Sequence, residues 1–282
     1  MENTNEEQKT NINYSKDLSG KLLFMRHGRT AFNIDKKKDS RRTNENYVDC
    51  RLDSYGIFQA RFKQSKLNSL SLEKVYVSPF YRALETLTYS LENHPNKKNI
   101  IALVHPLVSE ISNCINDYIL DIKKTKNDFN MNSKIKIDWS FFDEYVNGIK
   151  YDENFYYFEN FDCLEENEKN EIYQKVKNFY DNKNFKELKI GLSELAKLRI
   201  QRNKRFESLK HLQERFKKFC EYIREQHKET LLNTKEKILV ISHSSFMQVG
   251  TDMTPYESED IQDFHKSCYN PGNCQILSYK LD

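Results

Sequence analysis

The stretch KLLFMRHGRTAFN, residues 21–33, decides how the rest of the chain is read. A short apolar run, Leu22-Leu23-Phe24-Met25, breaks abruptly into Arg26-His27-Gly28-Arg29-Thr30. Such a run, bounded by a glycine turn, reads as a buried strand that ends in a loop. Gly28 lets the backbone approach a ligand closely, and Thr30 is a candidate N-cap for a following helix. Free N–H groups and the dipole at such a helix start favour negative charge. Arg26 and His27 placed there suggest a phosphate cradle with a nucleophile in it. Taken alone, the stretch is read equally well as a surface Arg-His pair in a tight turn.

Two further stretches shift that balance. ILVISHSSF, residues 238–246, is a second hydrophobic strand that runs straight into His243. VYVSPFYRALET, residues 75–86, is a strand ending at Ser78-Pro79 and passing into a helix that carries Arg82. Singly, His243 reads as a core histidine and Arg82 as a helix-surface residue. Jointly, Arg26, His27, Arg82 and His243 stand at three strand ends, where ligands bind in open α/β sheets. Packing alone does not account for them.

With these residues in place, the sequence resembles the histidine phosphatase superfamily, the phosphoglycerate-mutase-like clan. The likeness rests on Arg26-His27-Gly28 with Thr30 and Asn33, on Ser78-Pro79 through Arg82, Glu85 and Thr86, and on Ser242-His243. LDSYGIFQA (residues 52–60) is similar to the segment that usually follows the first motif, and NPGNCQILSYKL (270–281) to the closing strand. The likeness runs from about Lys21 to the end and is weakest in the middle. It implies an α/β fold, a three-layer α/β/α domain with a mostly parallel central sheet. It also implies that His27 attacks phosphorus while Arg26, Arg82 and His243 hold the phosphate oxygens. Asn33 matches a phosphate-binding position, and Ser244 offers its backbone N–H where glycine is common. Glu110, just after Pro106-Leu107, matches the proton donor to the leaving group. That role needs a carboxylic acid that keeps its proton near neutral pH. Asp117, Asp143 and Glu144 are its competitors.

The activity so implied is phosphomonoester hydrolysis through a phosphohistidine, with no cofactor and no metal, since arginines and the helix dipole supply the positive charge a phosphoryl group requires. No ligand cluster with metal spacing is visible in the sequence. The alternatives are a phosphoglycerate mutase and a non-catalytic phosphate- or phosphopeptide-binding module. The Arg-Arg-Xaa-Tyr segment of mutases is missing between Arg82 and Glu110, and the intact centre argues against the module. Phosphosugar, phosphoglycerate, nucleotide and phosphoprotein all suit the centre as substrates. The expected partner is therefore a small phosphorylated metabolite or a phosphoprotein.

The 282 residues suit one large domain with an insertion. Charged residues make up 31%, yet 18 Phe and 17 Tyr supply the apolar area for a core. A net charge of +3 is too balanced to argue for nucleic acid or an anionic membrane. The six cysteines (Cys50, Cys114, Cys163, Cys220, Cys268, Cys274) form no Cys-Xaa-Xaa-Cys and read as inert thiols of a reducing compartment. No run is apolar and long enough to span a bilayer, and the expected location is cytoplasmic. Residues 1–19 read as a disordered lead and 20–282 as the domain, with a helical insertion at about 150–202.

Along the chain, residues 55–67 have helical spacing, and 73–78 and 100–104 read as strands. The charged loop 35–51 reads as solvated, with Lys36–Lys38, Arg41 and Arg42 at the pocket mouth as the minor alternative. His105 reads as structural and Trp139, Phe141 and Phe142 as core, with Asp143 and Glu144 exposed. Helical periodicity recurs at 172–180 and 188–198, as an active-site cap or equally as a surface insertion. Residues 206–232 form one long amphipathic helix, its Lys/Arg face solvated.

Overall fold

Both faces of the central strands are apolar, and the fold follows from that. The computed structural model describes residues 14–36, 38–181, 185–201, 205–233, 235–250 and 270–281. Its seven strands are β1 (Tyr14–Ser15), β2 (Leu22–Arg26), β3 (Leu72–Val77), β4 (Ile101–Val104), β5 (Lys136–Asp138), β6 (Lys237–Ser242) and β7 (Ile276–Tyr279). They lie in one sheet in the order β1-β7-β2-β6-β3-β4-β5. From β2 through β6, β3 and β4 to β5 every pairing is parallel, and β7 and β1 close one edge antiparallel.

Alternate residues along each strand face opposite ways. Leu23, Met25, Val75, Val77, Ala102, Val104, Leu239 and Ile241 enter one core, with the helices Ser54–Phe62 and Tyr81–Leu91 above them. Leu22, Phe24, Tyr76, Leu103, Ile238 and Val240 enter the other, under the helices Leu209–Gln226 and Ser244–Val249. Burying a side chain of this size contributes roughly 1.5–3 kcal/mol. A sheet apolar on both faces is stable only when both are covered. The result is the three-layer α/β/α architecture.

Several expectations are corrected. Residues 1–13 of the expected lead lie outside the described residues, but Tyr14 and Ser15 pair with Tyr279 and Ser278, because the β7 edge otherwise leaves backbone groups unpaired. The helix expected over 55–67 is two, Ser54–Phe62 and Gln64–Asn68. The long helix over 206–232 is likewise two, Leu209–Gln226 and Lys228–Asn233, broken at His227 with φ −125° and ψ 30°. The helices Glu166–Asp181 and Phe185–Gln201 cover the periodic segments 172–180 and 188–198, and this region is not a surface swelling. Phe155, Tyr156, Tyr157, Phe158, Ile172, Leu188 and Leu192 all belong to the core that holds Leu23, Met25 and Val75. The helix Phe185–Gln201 packs on residues 45–47 and 115–117, and Ser193 donates to the Thr43 carbonyl. Arg41 is not free at a pocket mouth: its guanidinium donates to the Phe32 and Asp35 carbonyls at 3.2 and 2.9 Å.

Candidate active site

The C-terminal ends of β2, β3, β4 and β6 converge, and each delivers one part of the site. Arg26 pairs in register with Ser242, so β2 and β6 end side by side. The His27 amide continues the ladder to the Ser242 carbonyl at 2.9 Å. The rings of His27 and His243 then lie with centroids 5.1 Å apart.

His27 is buried, and its Nδ1 lies 2.7 Å from the Gly28 carbonyl. A carbonyl only accepts, so Nδ1 carries the proton and Nε2 keeps its lone pair. Burial, followed by the charges of Arg82 and Arg26, holds this imidazole well below its ordinary 6.5. It is therefore neutral at pH 7, as a nitrogen nucleophile must be. His243 is depressed in the same way, by burial first and then by Arg82. Its Nε2 lies 2.8 Å from Ser78 Oγ at the end of β3, and Phe80 meets it edge to face. Its buried Nδ1 has no hydrogen-bond partner among the described residues.

Two guanidinium groups supply the charge. Arg82, 1% exposed, donates to the Asn116 carbonyl at 2.5 Å and to Asp117 Oδ1 at 3.1 Å. Its Nε is buried without a partner. Arg26 donates to the Pro271 carbonyl at 2.8 Å, and its Nε is likewise buried and unpartnered. These two Nε–H groups and His243 Nδ1 are thus buried polar atoms without a hydrogen-bond partner among the described residues, a condition folded proteins rarely leave in place. Burial pushes the Asp117 carboxyl up, against the pull of Arg82.

Glu110 lies just beyond the 3₁₀ turn Pro106–Val108 that follows β4. It is buried, accepts from the Ile111 amide at 2.9 Å, and accepts from the Ser245 amide at 3.4 Å. Ser245 sits in the first turn of the helix that follows His243, so Glu110 and the second histidine are tied together. Of the competitors, Asp117 is spent on Arg82, Asp143 is half-exposed and paired with Lys126 at 2.5 Å, and Glu144 is exposed.

The structure thus brings together Arg26, His27, Arg82, Glu110 and His243. Asn33 is placed differently: its Oδ1 accepts from the Thr30 amide and hydroxyl at 3.0 and 3.1 Å, so only its amide N–H groups can meet a ligand. Ser244 is half-buried at the head of its helix. The helices after His27 and His243 span Ala31–Ile34 and Ser244–Val249, too short for a strong dipole. The arginines, not a helix N-terminus, carry the positive charge. Gly28 also has a different reason from the one expected. A Cβ there would lie 2.8 Å from the Gly56 carbonyl, and a Cβ on Gly56 would lie 2.0 Å from the Arg29 carbonyl. The nucleophile loop rests directly on the backbone of the helix Ser54–Phe62. Thr86 completes the mount, accepting from the Gly28 amide at 2.9 Å and donating to the Arg82 carbonyl at 2.7 Å.

Among the described residues the cysteines form no disulfide. Burial pushes Cys114, Cys220 and Cys274 up to about 12, and Cys268 lies outside the described residues. Among the described residues no three His, Cys, Asp or Glu are grouped as metal ligands. Nor is any helix among them long and apolar enough to cross a membrane.

Residues 22–110 match the sequence model of the histidine phosphatase superfamily (branch 1). That segment supplies Arg26, His27, Arg82 and Glu110, and over it the resemblance to this superfamily is borne out. No curated protein matches the chain in sequence. Among solved structures, a mycobacterial glucosyl-3-phosphoglycerate phosphatase in complex with VO3 is similar at 11% identity and a TM-score of 0.45, over 93% of this chain and 97% of that one. Phosphoserine phosphatase from Entamoeba histolytica, in complex with 3-phosphoglyceric acid, is similar at 16% identity and a TM-score of 0.40, over 91% and 88% of the two chains. For the ecdysone phosphate phosphatase from Bombix mori with tungstate the figures are 13%, 0.44, 91% and 87%.

Proposed function

We propose that this protein hydrolyses phosphomonoesters, without a metal, through a phosphohistidine on His27. One observation carries the reading. The His27 Nδ1 proton is given to the Gly28 carbonyl, which leaves a neutral Nε2 beside two buried guanidinium groups with unpartnered Nε atoms.

The residues divide the reaction as follows. His27 Nε2 forms a bond to phosphorus while the bond from phosphorus to the ester oxygen breaks. Arg26, Arg82 and His243 hold the non-bridging oxygens and take up their growing charge. Glu110 passes its proton to the departing oxygen, which leaves as an alcohol. In the second half a water oxygen attacks phosphorus, the P–N bond breaks, and the water's proton goes to the Glu110 carboxylate. Inorganic phosphate leaves, and His27 and Glu110 return to their starting states. Small phosphorylated metabolites and phosphoproteins are the substrate classes this centre accepts.

Trapping with a ³²P-labelled phosphomonoester tests the reading. The expected adduct is acid-labile and base-stable, maps to His27, and is absent from His27→Ala along with turnover. Undiminished turnover or labelling in His27→Ala overturns it.

A further inference from the structure

The residue proposed to donate the proton sits on irregular backbone, and its carbonyl neighbours are held in an unusual way. Residues 107–110 belong to no sheet, yet each of their four carbonyls is taken by a buried side chain. Arg215 donates to the Leu107 carbonyl at 2.6 Å, the Ser109 carbonyl at 3.2 Å and the Glu110 carbonyl at 3.3 Å. Ser242 Oγ takes the carbonyl between them, Val108, at 2.6 Å. Buried carbonyls need partners, and a loop that lacks a ladder must find them in side chains.

Arg215 is held in turn. It is 3% exposed, and its Nε meets Glu207 Oε1 at 2.7 Å, with Glu207 fully buried. The other carboxylate oxygen of Glu207 accepts the Ser112 amide at 2.9 Å. The ion pair therefore grips the turn on both sides of Glu110: three carbonyls up to and including it, and one amide two residues later. Both members stand at a rigid element, Glu207 just before the helix Leu209–Gln226 and Arg215 within it. A guanidinium presents its donors in a fixed planar fork, so the pair sets direction as well as distance.

We infer that Arg215 and Glu207 are positioning residues for the general acid: they fix the Glu110 turn so that its carboxyl stays at the leaving-group oxygen. This rests on the reading of Glu110 as proton donor. Toward the site, the hydrogen bonds of the pair run to backbone of residues 107–112 and not to Arg26, His27 or Arg82, so both act through the backbone of the acid. A general acid matters for a poor leaving group and hardly at all for a nitrophenolate. Displacing Glu110 therefore has a signature that general damage to the fold lacks.

The test is a cycle of Glu110→Gln, Arg215→Met and their combination, with kcat measured on an alkyl phosphate and on p-nitrophenyl phosphate. Glu110→Gln should slow the alkyl phosphate by about 10²–10⁴-fold and the nitrophenyl ester much less. Arg215→Met should slow the alkyl phosphate by up to about 10²-fold, the scale of a 1 Å misplacement, with the nitrophenyl ester again affected much less. Added to Glu110→Gln, it should cost little more, because both remove one function. Arg215→Lys should recover part of the loss. Inhibition by vanadate reports the phosphate groups and should change little. Where Arg215→Met folds poorly, Glu207→Gln is the second variant, with the same expected selectivity. Should Arg215→Met and Glu207→Gln slow both substrates alike while Glu110→Gln discriminates, the positioning role is refuted and the acid stands. Should Glu110→Gln itself fail to discriminate, the acid assignment falls first.

Discussion

Gly56→Ala is the sharpest perturbation of this site that touches no reacting group. The added Cβ would sit 2.0 Å from the Arg29 carbonyl oxygen, 2.8 Å from the Arg29 nitrogen and 2.9 Å from its carbonyl carbon, all of them backbone. Real Cβ contacts essentially never fall under 3.0 Å, so the two segments must separate by about 1 Å. No side chain can yield in their place. Arg29 is two residues from His27, and Gly28 rests on the Gly56 carbonyl, so the movement passes into the nucleophile loop. A 1 Å displacement of a reacting group costs about 10²-fold in rate, and overpacking of this kind costs about 1–3 kcal/mol in stability. The assay is kcat on p-nitrophenyl phosphate together with thermal unfolding, and Gly148→Ala is the control, because a Cβ there meets nothing nearer than 3.5 Å. The expectation is a kcat lowered by about 10²-fold and a lower Tm for Gly56→Ala, with the control close to wild type. A Gly56→Ala protein with wild-type kcat and Tm would refute the claim that this contact sets the position of His27.

Three further outcomes follow from the same site. Because His27 and His243 are held below 6.5 in the fold, the acid limb of kcat/KM should have its midpoint below 6.5, and a midpoint at or above it contradicts a neutral nucleophile. A depressed histidine contributes stability that is present above its unfolded pKa and is lost as pH falls toward the folded one. The stability difference between wild type and His243→Asn should therefore shrink by about 1.4 kcal/mol for each pH unit below 6.5, and a flat difference counts against the buried neutral ring. With arginines supplying the charge, turnover should survive prolonged chelation and stay sensitive to vanadate; complete loss, restored by one divalent ion, overturns the metal-free reading.

Much of the fold was legible because the central strands are apolar on both faces, and such runs stand out in a polar chain. β6, Lys237–Ser242, covers the hydrophobic run expected to end at His243, and β2 extends the expected 22–25 by Arg26 alone. Arg26, His27, Arg82, Glu110 and His243 were visible because each stands at or just beyond a strand end. β1 and β5, of two and three residues, are too short to show a period. Arg215 was missed among the Lys and Arg of its helix, which were read as a solvated face. Yet it lies three residues after Leu212 and four before Phe219, inside the apolar stripe, and a charge there is a sign of burial with a partner. The contact of Gly28 with Gly56 had no sequence signal, since it depends on how the helix Ser54–Phe62 is seated.

The two apolar faces of β2 carry one more consequence. In a sheet with one wet face, polarity forbids a strand from sliding by one residue, because every side chain would change sides. Here sliding would only exchange Leu22 and Phe24 for Leu23 and Met25, and water would not object. What distinguishes the faces is shape: Phe24 lies among Phe216, Phe219, Phe246 and Tyr279, with ring centroids 5.7 to 6.4 Å away. A slide of one residue would carry His27 about 3.3 Å along the sheet, past the reach of any hydrogen bond it makes. The alignment of His27 is thus set by an aromatic nest on the sheet face that holds Phe24 and Leu22.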